Sequence, residues 1–437
     1  MRKDVPFYII ILNILIILIF WYLSSGKLIF SSRIDFLLGI GRLFGLLAVF
    51  SVLIQLLLIG RIKWIERAFG LDKLARIHKW NGYATLILMT LHATAIITAY
   101  SIINKLSFTS QFINFITTSP YLLAALIGFL LFFIIVALSL TIIWRKLKYE
   151  TWYYIHLLTY LAILLTAFHQ IKLGADFANI HFIYYWYFIY IFVLDNFILY
   201  RFIRPLWFYN KHRFYVSEIK EENPNVTSLY ISGRNIDRFK REAGQFMILR
   251  FLARGYWYEA HPFSLSASPE DNILRVTIKN VGDFTSKINL LKPGTKLLID
   301  GLHGTFTKKK AKKNKIALLA GGIGITPIRS LLGSFNKSKD IILLYGNRTK
   351  KDIVFKDEIE NIAEKNKNKI HYLYSEEKEA SKYAIIDRES IENLIPDINE
   401  RDIYICGPMP MMKSIIKYLK SRNVPSNQIH YEKFSLH

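Results

Sequence analysis

One cysteine, Cys406, stands among 437 residues. That excludes a disulfide framework, a cysteine-held cluster and a Cys-rich zinc site. Acidic residues are few, with 33 Asp and Glu against 57 Lys and Arg, for a net charge of +24. Disorder is excluded by an aromatic content of 15%. An apolar fraction of 52% and a mean hydropathy of +0.25 do not fit an ordinary soluble chain. High charge and high hydropathy rarely share one domain, so the chain divides. Residues 1–210 hold 18 basic and 7 acidic residues, and 211–437 hold 39 and 26. The first part reads as membrane-embedded and the second as soluble.

Six apolar runs approach the ~20 residues that a bilayer requires: 6–23, 36–60, 78–103, 120–144, 152–170 and 182–201. The first begins after Arg2 and Lys3 like a signal peptide, but Trp21 and Tyr22 end it where small residues would be cleaved, so it counts as a span. A cytoplasmic N-terminus puts 15 basic residues in the inner loops and 4 in the outer ones, as the positive-inside rule requires. The expected location is the cell membrane, multi-pass, with both termini cytoplasmic. The Trp and Tyr cluster at 184–190 reads as lipid-facing and interfacial, and Gln55 and Asp195 as bonds between helices. Arg42 reads equally as a cation for an anionic cofactor group or product and as a snorkelling cation.

Histidines carry the chemistry of this half. The third run holds His78 and His92, and the fifth holds His156 and His169. The spacings of 14 and 13 residues correspond to about 20 Å of helix rise. Both runs point the same way, so His78 meets His156 at the cytoplasmic depth and His92 meets His169 farther out. Ionisable groups inside spans are costly and usually functional, and a His pair can ligate a haem iron from both faces. Fourteen steps nearly restore a helix face, whereas thirteen miss it by about 140°. The fifth span must therefore bend, tilt or offer its two rings from different sides.

Beyond 210 the pattern becomes short strands (214–219, 226–231, 245–251, 274–279 and 296–300) parted by Gly and Pro turns, which suggests a small barrel. From 315 it becomes strand, Gly-rich turn and helix, then alternating elements, as in a parallel α/β sheet. The turn 320–327, with Gly321, Gly322, Gly324, Thr326 and Pro327, lets backbone approach a pyrophosphate beside a helix N-terminus. It is not GxGxxG. His261, Pro262, Phe263 and Ser264 set an aromatic beside a hydroxyl, and 280–285 forms a second Gly turn. Cys406, Gly407 and Pro408 close a predicted strand, at the end where such sheets bind ligands.

These motifs, in this order, resemble the NADPH oxidase and ferric reductase superfamily over nearly the whole chain. The resemblance implies an α-helical six-span haem domain (1–210), a β-barrel FAD domain (211–312) and an α/β nucleotide-binding domain (313–437). It implies two b-type haems on His78, His156, His92 and His169. For FAD it implies His261, Pro262, Phe263 and Ser264 at the ring system, and Lys279, Gly282, Asp283 and Thr285 at the diphosphate. For NAD(P)H it implies Gly321, Gly322, Gly324, Thr326 and Pro327, with Cys406, Gly407 and Pro408 near the nicotinamide. Gly301-Leu302-His303-Gly304 departs from the family's Gly-Pro-Tyr-Gly and receives no ligand role. Arg348 pairs a 2′-phosphate in this reading, which favours NADPH over NADH, and Phe434 resembles the terminal aromatic that covers the flavin.

The expected function is transmembrane electron transfer from cytosolic NAD(P)H through FAD and two haems to oxygen outside, giving superoxide. The alternative is a ferric or cupric chelate reductase with the same path. Outer loops without an acidic or His cluster favour oxygen. Expected partners are membrane lipid and the acceptor, with no nucleic acid and no obligatory regulatory protein. The run 308–315 reads as a solvated basic loop near anionic lipid.

Overall fold

The computed structural model describes residues 5–140, 149–174, 179–377 and 383–432. They form two units, dividing near Tyr200 and Arg201, with Gly70–Asp72 grouped with the second.

The first unit is helical: α1 (Val5–Ser24), α2 (Arg33–Ile59), α3 (Lys63–Phe69), α4 (Leu71–Asn104), α5 (Phe108–Thr118), α6 (Pro120–Leu138), α7 (Tyr149–Leu157), α8 (Thr159–Leu173) and α9 (Ile180–Ile198). Among the described residues, six helices are long and apolar enough to cross a membrane, and α7 with α8 supplies the fifth, over Thr151–Leu173. Local chemistry sets the ends. Ser32 Oγ accepts from Asp35 N at 3.0 Å to start α2, and Asn179 Oδ1 accepts from His181 N at 2.9 Å to start α9. Pro120 opens α6, where its missing N–H costs nothing.

Trp186 and Phe182 of α9 are buried against Ile17 of α1 and Leu46 and Phe50 of α2. This corrects the lipid-facing reading for Trp186, which is 2% exposed, while Tyr184 does face outward. α6 meets α8 at Gly128, where a Cβ would come within 2.9 Å of the Ala162 carbonyl; small residues let membrane helices approach this closely. The expected outer loop 104–119 contains α5. Its start is capped by Ser107, and its buried Gln111 accepts from Asn104 at 2.8 Å.

The second unit starts with α10 (Arg204–His212) and two three-stranded antiparallel sheets. One sheet contains β1 (Tyr215–Asn223), β2 (Val226–Ser232) and β5 (Leu274–Lys279). The other contains β3 (Phe246–Phe251), β4 (His261–Ser264) and β6 (Leu297–His303). Bridges Leu265–Val276 and Tyr215–Lys296 join the sheets at two seams, and Phe214, Leu229, Met247, Phe251 and Val276 fill the interior.

Five parallel strands follow: β7 (Lys315–Gly321), β8 (Asp340–Asn347), β9 (Lys369–Tyr374), β10 (Asp402–Cys406) and β11 (Ile429–Tyr431). They are ordered β11-β10-β7-β8-β9. Around them lie α11 (Ile325–Ser334), α12 (Lys356–Asn366), α13 (Arg388–Leu394) and α14 (Met409–Ser421). The chain runs outward from β7 in one direction and returns at β10 in the other. The crevice for a ligand in such a sheet opens where this order reverses, between β7 and β10.

The run 308–315 is not a free basic loop. Lys308 pairs with Glu270 at 2.7 Å, Lys309 with Glu242, and Lys315 with Asp397 and Glu400 at 2.9 and 2.6 Å. The amides of Lys312 and Lys313 both donate to Asp402. Its acidic partners come from distant segments, which composition alone does not reveal.

Candidate electron-transfer site

Within the helical unit the four histidines form two pairs. The rings of His78 and His156 are 6.0 Å apart, and those of His92 and His169 are 6.2 Å apart. An imidazole nitrogen binds a metal at about 2 Å. Two rings on opposite sides of one iron therefore have centroids roughly 6 Å apart, so both pairs fit a bis-imidazole iron. The Nδ1 atoms of His78, His156 and His169 are buried without a hydrogen bond among the described residues. No cluster of three or more His, Cys, Asp or Glu suited to a metal exists among those residues, so the pairs stand as two-ligand sites.

His92 is the most fully specified of the four. Its Nδ1 donates to the Gly41 carbonyl at 2.8 Å, which leaves Nε2 as the nitrogen available to a metal. A Cβ on Gly45 would come within 2.8 Å of the same ring. From there α2 and α4 are joined by a line of polar bonds. Ser51 Oγ lies 2.6 Å from Thr85 Oγ1 and donates to Asn81 Oδ1 at 3.0 Å, Asn81 Nδ2 donates to the Ser51 carbonyl, and Gln55 donates to the His78 carbonyl at 3.0 Å. Residues 78, 81, 85 and 92 share one α4 face, so this line spans the interval between the two His levels.

The fifth span resolves its spacing by breaking at Leu158. Leu158 N bonds the Ile155 carbonyl three residues back at 3.0 Å, and its ψ is −11°. Three-residue turns advance about 120° per residue instead of 100°, recovering part of the missing rotation. Thr159 Oγ1 donates to the carbonyl of His156 itself at 2.8 Å. The ring of Trp152, one turn earlier, lies 5.1 Å from His156, and Trp152 donates to Ser139 at 3.1 Å. Gln170, beside His169, accepts from Tyr190 at 2.9 Å. Arg42 donates to Ser25 at 2.9 Å.

In the second unit, β4 carries His261 to Ser264 beside β3. His261 bonds Glu259 at 2.8 Å and lies 3.9 Å from the ring of Phe284, which is also near-parallel to Phe263 at 6.4 Å. Phe284, buried in the barrel core, thus brings the turn 280–285 onto the β4 motif and backs the rings of His261 and Phe263. Spacing alone does not single this residue out; its only signal in the sequence is an aromatic between Asp283 and Thr285. Thr285 Oγ1 accepts from the amides of Val281 and Gly282 at 2.9 and 3.0 Å, so its hydroxyl shapes the turn. The space beside Gly282 is open. Lys279 ends β5 opposite Val226.

At the β7–β10 crevice, a Cβ on Gly324 would strike the carbonyl of Cys406, and one on Gly407 would come within 3.0 Å of Gly321 N. The two turns therefore meet backbone to backbone. Gly322 has φ +52° with open space around it. Pro408 Cδ would lie 2.9 Å from a Cβ on Gly321. Thr326 is buried, with its hydroxyl bonded to the Ile323 carbonyl at 3.1 Å, and Pro327 is buried beside it. This glycine cradle ahead of α11 fits a diphosphate. Burial, with Glu432 adding negative charge, pushes the Cys406 thiol up, so it stays protonated at neutral pH. Glu432 is itself buried against Gly304 and went unremarked in the sequence. Arg348 is exposed, 3.8 Å from Glu376. Phe434 lies outside the described residues.

A helical unit with six membrane-length helices, a flavin-type barrel and a doubly wound nucleotide sheet together define a multi-pass membrane oxidoreductase. Residues 44–167 match the family described as ferric reductase like transmembrane component, residues 198–321 an FAD-binding domain, and residues 318–417 an oxidoreductase NAD-binding domain. The chain has the NADPH oxidase/ferric reductase-like architecture. Among curated relatives, it is 27% identical over 246 residues to a flavohemoprotein of Halalkalibacterium halodurans, covering 51% of this chain and 59% of that protein. It is 33% identical over 170 residues to NADH-cytochrome b5 reductase 2-B of Vanderwaltozyma polyspora, covering 35% and 55%. The chain thus spans little more than half the length of either relative. The FAD/NAD-binding domain of a nitric oxide dioxygenase from Vibrio cholerae aligns at 22% identity and a TM-score of 0.45, over 50% of this chain and 97% of that one.

Proposed function

We propose that the protein is a transmembrane NAD(P)H oxidase that delivers electrons from cytosolic nucleotide to oxygen on the opposite side. One nucleotide supplies two electrons, so two oxygen molecules become two superoxide ions and one proton is released in the cytosol. The observation that carries this reading is the pairing of His78 with His156 and of His92 with His169 on one helix pair, in a chain that also holds flavin and nucleotide turns. When bound, nucleotide, flavin and haem supply the redox chemistry.

The chain's part is placement. The turns at Gly322–Gly324 and Cys406–Gly407 hold the nucleotide at the reversal of the sheet. Phe263, backed by Phe284 of the barrel core, supports the flavin ring, with Ser264 at its edge. His78 and His156 hold the inner haem, and His92 and His169 the outer one. Held by two imidazoles, each haem would supply one-electron transfer, which favours an acceptor that takes electrons without coordinating. Inner loops rich in Lys and Arg support cytoplasmic termini.

The test is NADPH and NADH oxidation by the purified protein with FAD, using cytochrome c and superoxide dismutase. Dismutase should abolish cytochrome c reduction. Reduction insensitive to dismutase, with a fast Fe(III)-chelate rate, points instead to a metal reductase. Absence of a b-type haem spectrum rejects both.

A further inference from the structure

One carboxylate ties the flavin barrel to the nucleotide-binding sheet. Glu358, in the first turn of α12, receives both terminal nitrogens of Arg275 at 2.7 and 2.9 Å. Its Oε2 also pairs with Arg329 at 2.7 Å. Arg275 belongs to β5 of the barrel and is 3% exposed. Arg329 belongs to α11, the helix that the glycine turn opens, and it also bonds Asp271 of the barrel.

Each arm reaches a segment that carries a candidate cofactor motif. Arg275 Nη2 donates to the Ser266 carbonyl at 3.0 Å, its Nε donates to Ser266 Oγ at 3.2 Å, and Ser266 N donates back to the Arg275 carbonyl at 2.9 Å. Ser266 lies two residues beyond Ser264, so the bonds grip the end of the flavin motif. Arg329 lies within α11, five residues beyond Gly324. Ser330, next to it, donates to the Ala267 carbonyl at 2.8 Å. The Arg275 guanidinium also covers the ring of Phe355 at 4.3 Å, just before α12.

Buried ion networks are weak sources of stability, because desolvation offsets much of the attraction. They do fix geometry, since a bidentate guanidinium tolerates little displacement. Hydride transfer needs its reacting atoms about 3–3.5 Å apart, and a shift of roughly 1 Å can cost about 100-fold in rate. Burial acts to raise the pKa of Glu358, but its bonds to Arg275 and Arg329 outweigh that and hold it below the usual carboxylate range. Glu358 is therefore charged at neutral pH.

We propose that Glu358, gripped by Arg275 and Arg329, is a positioning residue that sets the approach of nicotinamide to flavin without touching either. This rests on the reading that nucleotide reduces the flavin. The experiment uses the full chain loaded with FAD, mixed anaerobically with NADPH or NADH while flavin bleaching is followed. Glu358→Gln and Arg275→Gln each lower the limiting rate at saturating nucleotide by about 10- to 100-fold. FAD content and half-saturating nucleotide stay within about twofold of the parent protein. The double variant is no slower than either single one, because both remove the same constraint. Arg275→Lys keeps the charge but loses the fork, and falls between. Should the Gln variants lose FAD or fail to fold, Arg275→Lys carries the test through its limiting rate at normal FAD content.

Unchanged limiting rates alongside a lowered melting temperature would reduce the network to a structural role and overturn the proposal. Multiplicative losses in the double variant would overturn it too. If instead the parent flavin does not bleach with either nucleotide, the functional reading itself fails. That outcome is distinct from one in which the parent bleaches and the variants match it.

Discussion

The Nδ1 of His92 lies 2.8 Å from the Gly41 carbonyl, and one turn along the same helix Gly45 leaves room for that ring. The two glycines orient one imidazole of the outer His pair. A Cβ at position 45 would press on the imidazole at 2.8 Å. Gly45→Ala therefore costs about 1–3 kcal/mol of overpacking, and Gly45→Leu displaces the ring. The expected outcome for Gly45→Leu is roughly one haem per chain instead of two, since each iron needs both imidazoles. Haem content per protein measures this, and two haems retained in Gly45→Leu would contradict it.

Thr159 supports the other helix. The spanning threonines Thr90, Thr94, Thr98 and Thr166 each bond a carbonyl four residues back, and Thr94 and Thr166 share that bond with one three back. Thr159 bonds the carbonyl three back, which belongs to His156 of the inner His pair, at the break in the span. Thr159→Val keeps the branched shape and removes the hydroxyl, at a cost of about 1 kcal/mol. The expected readout is a shifted low-spin haem signal from the inner site in electron paramagnetic resonance. Thr159→Ser should restore it. A parent-like signal in Thr159→Val would remove Thr159 from the turn's support.

Such details explain which features were legible in the sequence. The four histidines stood out because ionisable groups are rare within apolar runs, and their spacing placed them at two depths. The glycine turns at 321–324 and 406–408 were visible because each ends a strand-like run. The aromatic packing at β4 was half visible, since Phe263 was singled out and Phe284 was not. The 13-residue spacing called for an irregularity in the fifth span, but its place at Leu158 was not legible, because a three-residue bond at one point leaves no trace in periodicity. Nor was the pairing of Arg275 with Glu358, whose partners lie 83 residues apart. Spacing reports what one helix or strand brings together. It is silent on bonds made across domains.

Acid stability follows from the same carboxylate. Glu358 has a lower pKa folded than unfolded, the bonds to Arg275 and Arg329 outweighing burial. Its contribution is then fully present above the ordinary glutamate value of about 4.3 and is lost as pH falls through the lower folded value. Asp397 and Glu270 are held low as well, burial again being outweighed by bonds to Arg401 and Lys308 respectively. The melting temperature of the second unit should therefore drop on acidification below about pH 4.3. In Glu358→Gln the drop should be shallower without vanishing. An identical pH slope in parent and variant would show that the carboxylate contributes nothing.

A test of nucleotide preference lies in a smaller contact at the end of β8. Arg348 is the cation that the sequence reading assigned to a 2′-phosphate, and it points into solvent 3.8 Å from Glu376. Glu376 N donates to the Arg348 carbonyl at 2.9 Å, and Glu377 accepts from Lys350 N at 3.3 Å, so two acidic residues border the turn. A phosphate arriving there gains the guanidinium and meets the repulsion of both carboxylates. Arg348→Ala should lower kcat/KM for NADPH by about 10-fold, as expected for one charge-assisted hydrogen bond, and leave NADH nearly unchanged. Glu376→Gln should shift the preference the opposite way by relieving the repulsion. If Arg348→Ala lowers both nucleotides equally, the turn holds a feature that they share, and discrimination between them lies elsewhere on the sheet.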